Sequence, residues 1–157
     1  MKVLSLTATY SGTTSALSLR NTTVNLIRPG RDERYMKYAR AAAESSTCSR
    51  LHVGAAVVSQ DIVVGTGYNG APRGIEHCVH LDDSPCRLAV HAEVNALLVA
   101  QVIIGADLYV THAPCYDCSK LIINARISRV VYEQDYRSRS GIELLTRGNV
   151  TVERLRS

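Results

Sequence analysis

The chain of 157 residues has no uninterrupted run of about 18 apolar residues and no apolar signal core at its start, so the sequence predicts neither a membrane span nor secretion. Its cysteines do not form an even set. There are five, and without an export signal an odd number argues for reduced thiols or metal ligands in a reducing cytoplasm, against a disulfide framework. Acidic residues are missing before Asp32, in a stretch dominated by Ser and Thr, "SLTATYSGTTSALSLRNTTVN". Its neighbourhood has only Lys2, Arg20 and Arg28 as bases, too few for the Arg-rich face of a transit peptide, so residues 1–30 read as a flexible or strand-like extension. Clustered bases are lacking too. Lys and Arg are dispersed, whereas RNA recognition normally calls for one basic surface, so no nucleic-acid partner is expected. No internal repeat occurs.

What is present suits one compact domain: 46% hydrophobic and 20% charged residues can build a real core. The net charge of +4 suits an anionic ligand without singling one out. Pro29 and Gly30 punctuate the chain, and the domain is taken as 31–157. Tyr35, Tyr38, Ala39, Ala42 and Ala43 follow helical spacing and predict a helix from Asp32 to about Ser46. "VGAAVVS" from Val53 and "DIVVGTGY" from Asp61 predict paired strands around a polar turn at Gln60, followed by a loop at Asn69-Gly70 and Pro72–Gly74. Then come a helix after His91, a strand over Ala106–His112, a helix in "APCYDCSKLIINA", a strand from Ser128, a short helix around Gly141–Leu145 and a strand from Val150. This alternation predicts an α/β domain with helices on a mixed sheet. The last strand pair, around Val130 and Val152, should be parallel because a helix separates the two.

Two short stretches carry chemistry. In "CRLAVHAEVNALL", His91 and Glu93 stand two apart among helix formers. Residues two apart do not share a helix face, so a joint role requires that they sit where the helix is just starting. In "APCYDC", Pro114 presets a first helical turn and puts Cys115 and Cys118 on one face at the N-terminus, where unpaired N–H groups favour thiolates. Alone, C-x-x-C fits a redox pair, half a zinc site or two packed thiols. Alone, His91 fits a core histidine and Glu93 a solvated carboxylate. Together His91, Cys115 and Cys118 form a borderline-soft set that suits one catalytic Zn²⁺ per chain and leaves a fourth position for water, with Glu93 beside the metal to carry protons. H-x-E followed by P-C-x-x-C is the signature of zinc-dependent nucleobase deaminases.

From about Arg34 to Val152 the sequence resembles the deoxycytidylate (dCMP) deaminase family of the cytidine-deaminase superfamily. The resemblance rests on "HAEVNALL", "THAPCYDCSKLIINA", "STCSRLHVGAAVV", "GTGYNGAPRGIEHC" and "RVVYEQDYRSRSGIELL". The "GYNGAPRG" block followed by "HC" separates this family from plain cytidine, riboflavin-pathway and tRNA-adenosine deaminases better than the zinc motif does. It implies a three-layer α/β/α fold around a five-stranded mixed sheet. It also implies zinc-dependent hydrolysis of dCMP to dUMP and ammonia, supplying dUMP for thymidylate synthesis, with Glu93 moving protons. Commonly hexameric homo-oligomers follow as well, along with dCTP and dTTP as effectors, Mg²⁺ accompanying the nucleotide. By the same resemblance Asn69 hydrogen-bonds the deoxyribose or base and Tyr136 flanks the base; Arg50 is a candidate for the 5′-phosphate, because guanidinium matches phosphate bidentately. The plainer alternatives are a core tyrosine at 136 and a solvated surface arginine at 50.

Cys48, Cys78 and Cys86 with His77 or His80 make a second potential zinc cluster, since some relatives hold a structural zinc with residues from these regions; simple packing is the alternative. The chain departs from the family pattern at Arg126, where Gly is usual, and in the short "VAQVIIGAD" connection, where Gln101 and Val102 replace a basic residue. These changes bear on regulation and subunit contacts more than on chemistry. Other open readings are deamination of a modified dCMP, dCTP, deoxycytidine or tRNA adenosine, and a non-catalytic zinc-containing nucleotide-binding protein, against which the intact Glu93 argues.

Overall fold

The structure is a computed structural model that describes residues 28–79 and 86–156. The extension assigned to residues 1–30 therefore lies almost wholly outside the described residues, as does His80. Four helices and five strands follow one another as α1 (Arg31–Ala43), β1 (Gly54–Ser59), β2 (Ile62–Tyr68), α2 (Ala92–Val99), β3 (Asp107–His112), α3 (Tyr116–Asn124), β4 (Arg129–Gln134), α4 (Ser140–Arg147) and β5 (Thr151–Arg154). No helix among the described residues is long and apolar enough to cross a membrane.

The strands form one mixed sheet in the order β2-β1-β3-β4-β5. β1 is antiparallel to both β2 and β3, whereas β3, β4 and β5 run parallel, with Val130 paired directly to Val152 as the helix between them requires. β1 and β2 turn through Gln60 and Asp61, both at positive φ, the twist a two-residue hairpin needs. The polar turn thus uses two residues where the sequence pattern marked one.

Alternation along the central strands divides the core in two. Ala55, Val57, Leu108, Val110 and Val130 face α2, α3 and the Leu145 side chain of α4. Ala56, Val58, Tyr109 and Val131 face α1 through Tyr35, Met36 and Ala39. The result is three layers, with α1 the one helix on its side among the described residues. Two expectations for α1 need correction. Tyr38 is about half exposed and Met36 is buried in its place, and the helix stops at Ala43 rather than near Ser46. The Ser46 hydroxyl is engaged by the carbonyl and Oδ1 of Asn69, which draws the chain off the helical path.

Side-chain burial of the Tyr35 and Met36 kind is worth about 1.5–3 kcal/mol per residue, against roughly 0–1 for an exposed ion pair. Apolar contact therefore holds α1 on the sheet. Its polar neighbours set the register.

Candidate active site

The sheet's β3 and β4 end beside the starts of α2 and α3, and both chemically marked stretches lie there. His91 is the N-cap of α2 in extended conformation, with φ −73° and ψ 153°, and its side chain makes no capping hydrogen bond. The imidazole is therefore free to turn out of the helix. This puts it on the same side as Glu93, one residue into the first turn, which resolves the two-residue spacing. α2 comes this close to the sheet because β2 offers Gly67: a Cβ there would overlap the backbone at Ala92 and Ala96.

Cys115 caps α3, its Sγ accepting the Cys118 N–H at 3.5 Å in the manner of a Ser or Asp cap. Pro114 thus stands just before the cap rather than in the first turn. Gly141 of α4 packs against this segment so closely that a Cβ would overlap the Pro114 carbonyl. Ser119, fully buried, donates to the Cys115 carbonyl at 2.9 Å.

His91 Nδ1 lies 3.3 Å from Cys118 Sγ and 3.5 Å from Cys115 Sγ. All three donor atoms fall within 4.8 Å of one another. A tetrahedral site with Zn–N near 2.0 Å and Zn–S near 2.3 Å separates nitrogen from sulfur by roughly 3.6 Å. The spacing and the donor types both fit zinc.

The electrostatics favour a thiolate at Cys115. The Cys118 thiol donating to it, helped by His91 and the Cys118 N–H, brings Cys115 down to about 4 against the cost of burial. The same contact, with burial and Glu93 adding to it, pushes Cys118 up. Cys115 raises His91 in turn. Glu93 is only 4% exposed, and burial pushes its carboxyl above the ordinary range.

His91, Glu93 and Cys115 line a pocket that also contains Arg50, Asn69 and Tyr136, so the three residues assigned to substrate all reach one cavity with them. The Arg50 Nε is buried and has no hydrogen-bond partner among the described residues. Tyr136 stands at the cavity with Arg137 over its ring, 5.3 Å from the centroid. Leu51, Val53, Ala92, His112 and Ala113 also form the wall and were not read as site residues from the sequence. His112 has its Nδ1 3.1 Å from Thr111 Oγ1, and burial lowers its pKa. Its place at the end of a predicted strand, just before the P-C motif, was the available signal.

The second cluster is gathered in part. Cys78 interacts through its thiol with Cys86 and Cys48, and burial is the main cause pushing it up to about 11. His77 is exposed and lines a surface groove with Tyr68 and Pro72.

Comparison with known proteins gives consistent likenesses. Residues 29–134 match the model of the cytidine and deoxycytidylate deaminase zinc-binding region. The chain is 45% identical over 128 residues to a deoxycytidylate deaminase of Mycobacterium phage D29, covering 69% of this chain and 98% of that one. It is 38% identical over 141 residues to the Saccharomyces cerevisiae deoxycytidylate deaminase, covering 81% of this chain and 45% of that longer protein. The fold resembles a crystal structure of the cyanophage S-TIM5 dCMP deaminase in complex with dCMP and dUMP, with a TM-score of 0.75, 38% identity, and coverage of 82% of this chain and 99% of that one.

Proposed function

The chain belongs to the cytidine and deoxycytidylate deaminase family, and from that premise we propose that it is a hydrolase converting dCMP and water to dUMP and ammonia, a step that supplies dUMP for thymidylate synthesis. The observation that carries the reading is the joining of His91, Cys115 and Cys118 to a buried Glu93 in the pocket that Arg50 enters. His91 Nδ1 and the two thiolates would hold one zinc ion, which when bound supplies a Lewis acid that lowers the pKa of water to about 7.

The rest falls to the chain itself. Glu93 takes a proton from the attacking water and gives it to N3 of the pyrimidine as oxygen joins C4. It then takes the remaining proton from the new C4 hydroxyl and passes it to the amino group, so that the C4–N bond breaks, ammonia leaves and the carbonyl of uracil forms. Burial raises the proton affinity of the Glu93 carboxyl, which favours its taking a proton from water. Tyr136 walls the base. Arg50 presents guanidinium N–H groups to the 5′-phosphate, a role supported by its partnerless buried Nε.

The test is ammonia release from dCMP, dCTP, deoxycytidine and cytidine side by side. dCMP should give much the highest kcat/KM. Preference for deoxycytidine would remove the monophosphate assignment and leave the zinc chemistry standing.

A second, structural zinc at Cys48, Cys78 and Cys86, completed by His77 or His80, is part of the same proposal, supported by the interaction of the Cys78 thiol with Cys86 and with Cys48. Metal analysis should find two zinc ions per chain, and Cys78→Ser should remove one while catalytic zinc remains. One ion in both proteins would return these cysteines to simple packing. Homo-oligomerisation is supported by the exposed Leu98, Val99, Val102 and Ile104 at and after the end of α2, and its form as a hexamer rests on family resemblance. Effector binding by dCTP or dTTP with Mg²⁺ rests on family resemblance.

A further inference from the structure

We infer that Asn69 acts chiefly as a positioning residue for the phosphate subsite, through the segment 46–53; this rests on the reading that Arg50 receives the monophosphate. The segment belongs to no helix and enters β1 only at Gly54. Asn69 supplies much of what holds it. Its Nδ2 donates to the Leu51 carbonyl at 2.8 Å, and its Oδ1 accepts the Val53 N–H at 2.7 Å and, at 2.7 Å, the Ser46 hydroxyl, whose one proton it shares with the Asn69 backbone carbonyl at 2.8 Å. The backbone adds a bond from the Asn69 N–H to the Val53 carbonyl at 3.1 Å. The Ser46 Oγ in turn accepts the Cys48 N–H at 3.3 Å.

A side-chain amide has two acceptor sites and two donor hydrogens. Here both acceptor sites and one hydrogen are committed to the segment, which leaves one N–H for a ligand. What the amide fixes is the piece of chain that carries Arg50 and Leu51 into the pocket.

The next residue faces the other way. Gly70 and Val90 exchange two backbone hydrogen bonds, at 2.8 and 3.1 Å, and Val90 leads directly into His91. Asn69 and Gly70 therefore join the segment bearing the proposed phosphate group to the start of the helix bearing His91 and Glu93. Two adjacent residues govern the separation between the anion anchor and the reacting carbon. Without the amide, part of the binding energy from the phosphate must go into ordering the segment, and KM for the nucleotide rises.

Ser46 separates this role from direct contact, because it holds Asn69 Oδ1 and does not line the pocket. The experiment measures kcat and KM for dCMP and deoxycytidine in the parent, Ser46→Ala, Ser46→Thr, Arg50→Ala and the Ser46→Ala/Arg50→Ala pair, with Asn69→Ala as the severe case. Ser46→Ala should reduce the dCMP/deoxycytidine ratio of kcat/KM by roughly three- to ten-fold, the scale of one hydrogen bond, mainly through KM for dCMP. Ser46→Thr, which keeps the hydroxyl, should retain the parent ratio. In the Arg50→Ala background the Ser46 change should not reduce the ratio further. If Arg50→Ala collapses the ratio while Ser46→Ala leaves it intact or harms both substrates alike, the positioning role is overturned. If Arg50→Ala itself leaves the ratio intact, the phosphate reading is what fails, and the inference fails with it.

Discussion

Glu93 occupies the first turn of α2, nearly sealed from solvent, with Cys118 among its contacts. A carboxylate there loses hydration that its surroundings only partly replace, and its proton affinity rises. Replacing it with Gln preserves shape and one acceptor but removes the exchangeable proton. Turnover of dCMP by Glu93→Gln should fall by roughly two to four orders of magnitude, the scale of a general acid/base, while zinc content and nucleotide binding persist. Turnover near the parent value would make the side chain structural. His91, Glu93, Cys115 and Cys118 were legible as a candidate set because their spacing is local, within one helix start each. Asn69 was read only as a hydrogen-bonding partner of the deoxyribose or base, by resemblance. The partners of its Oδ1 stand 16 and 23 residues away, so nothing in its own neighbourhood shows that the amide is already engaged.

At the scale of elements, α3 and α4 end in the same way. Past the end of α3, the Arg126 N–H reaches the Ile123 carbonyl at 2.9 Å and the Ile127 N–H reaches that of Ile122 at 3.3 Å; past α4, Asn149 and Val150 repeat the pattern onto Thr146 and Leu145. This is the Schellman arrangement, which puts one residue in the left-handed region. Asn149, at φ 60°, suits that place, whereas Arg126, at φ 59°, carries a Cβ that crowds the following carbonyl. The Gly usual in the family at this position thereby has a physical explanation. Because Arg126 is exposed, Arg126→Gly should stabilise the protein by up to about 1 kcal/mol, the relief of left-handed strain less the added freedom of the unfolded chain. A urea midpoint that rises with unchanged slope would bear this out; a lower midpoint would show that the Arg126 side chain contributes more than its backbone costs. The strands were legible from their β-branched runs. The end of α1 was not, because its stop depends on Asn69, far along the chain.

Across the whole molecule, α1 and the sheet are joined at the edge away from the pocket by a polar lattice above the apolar core. Arg129 of β4 grips Asp32 with both terminal nitrogens, at 2.7 and 2.8 Å, and the buried Tyr109 donates its hydroxyl to the same carboxylate at 2.8 Å. Arg31 adds a 2.6 Å contact to Asp107. The Arg129 hydrogen bond, against the cost of burial, holds the Asp32 pKa below the ordinary carboxylate value. A carboxylate whose folded pKa is depressed contributes stability that is present above its unfolded pKa, near 3.9, and is lost as pH falls through the folded value. Asp32→Asn should therefore lower stability at neutral pH and flatten its decline in the acid range below about pH 4, measured by denaturant titration at several pH values. A decline as steep as the parent's would assign acid sensitivity to other carboxylates. By itself the sequence determined the order of helices and strands and the parallel pairing of Val130 with Val152, and it marked His91, Glu93, Cys115 and Cys118 as the groups the proposed chemistry uses, because each follows from spacing inside a segment or from the connection between two. Tertiary structure alone decided the strand order, the burial of Met36 in preference to Tyr38, the arrival of His112 in the pocket and the commitment of the Asn69 amide. Each of these depends on which distant segments meet, and periodicity constrains one segment at a time.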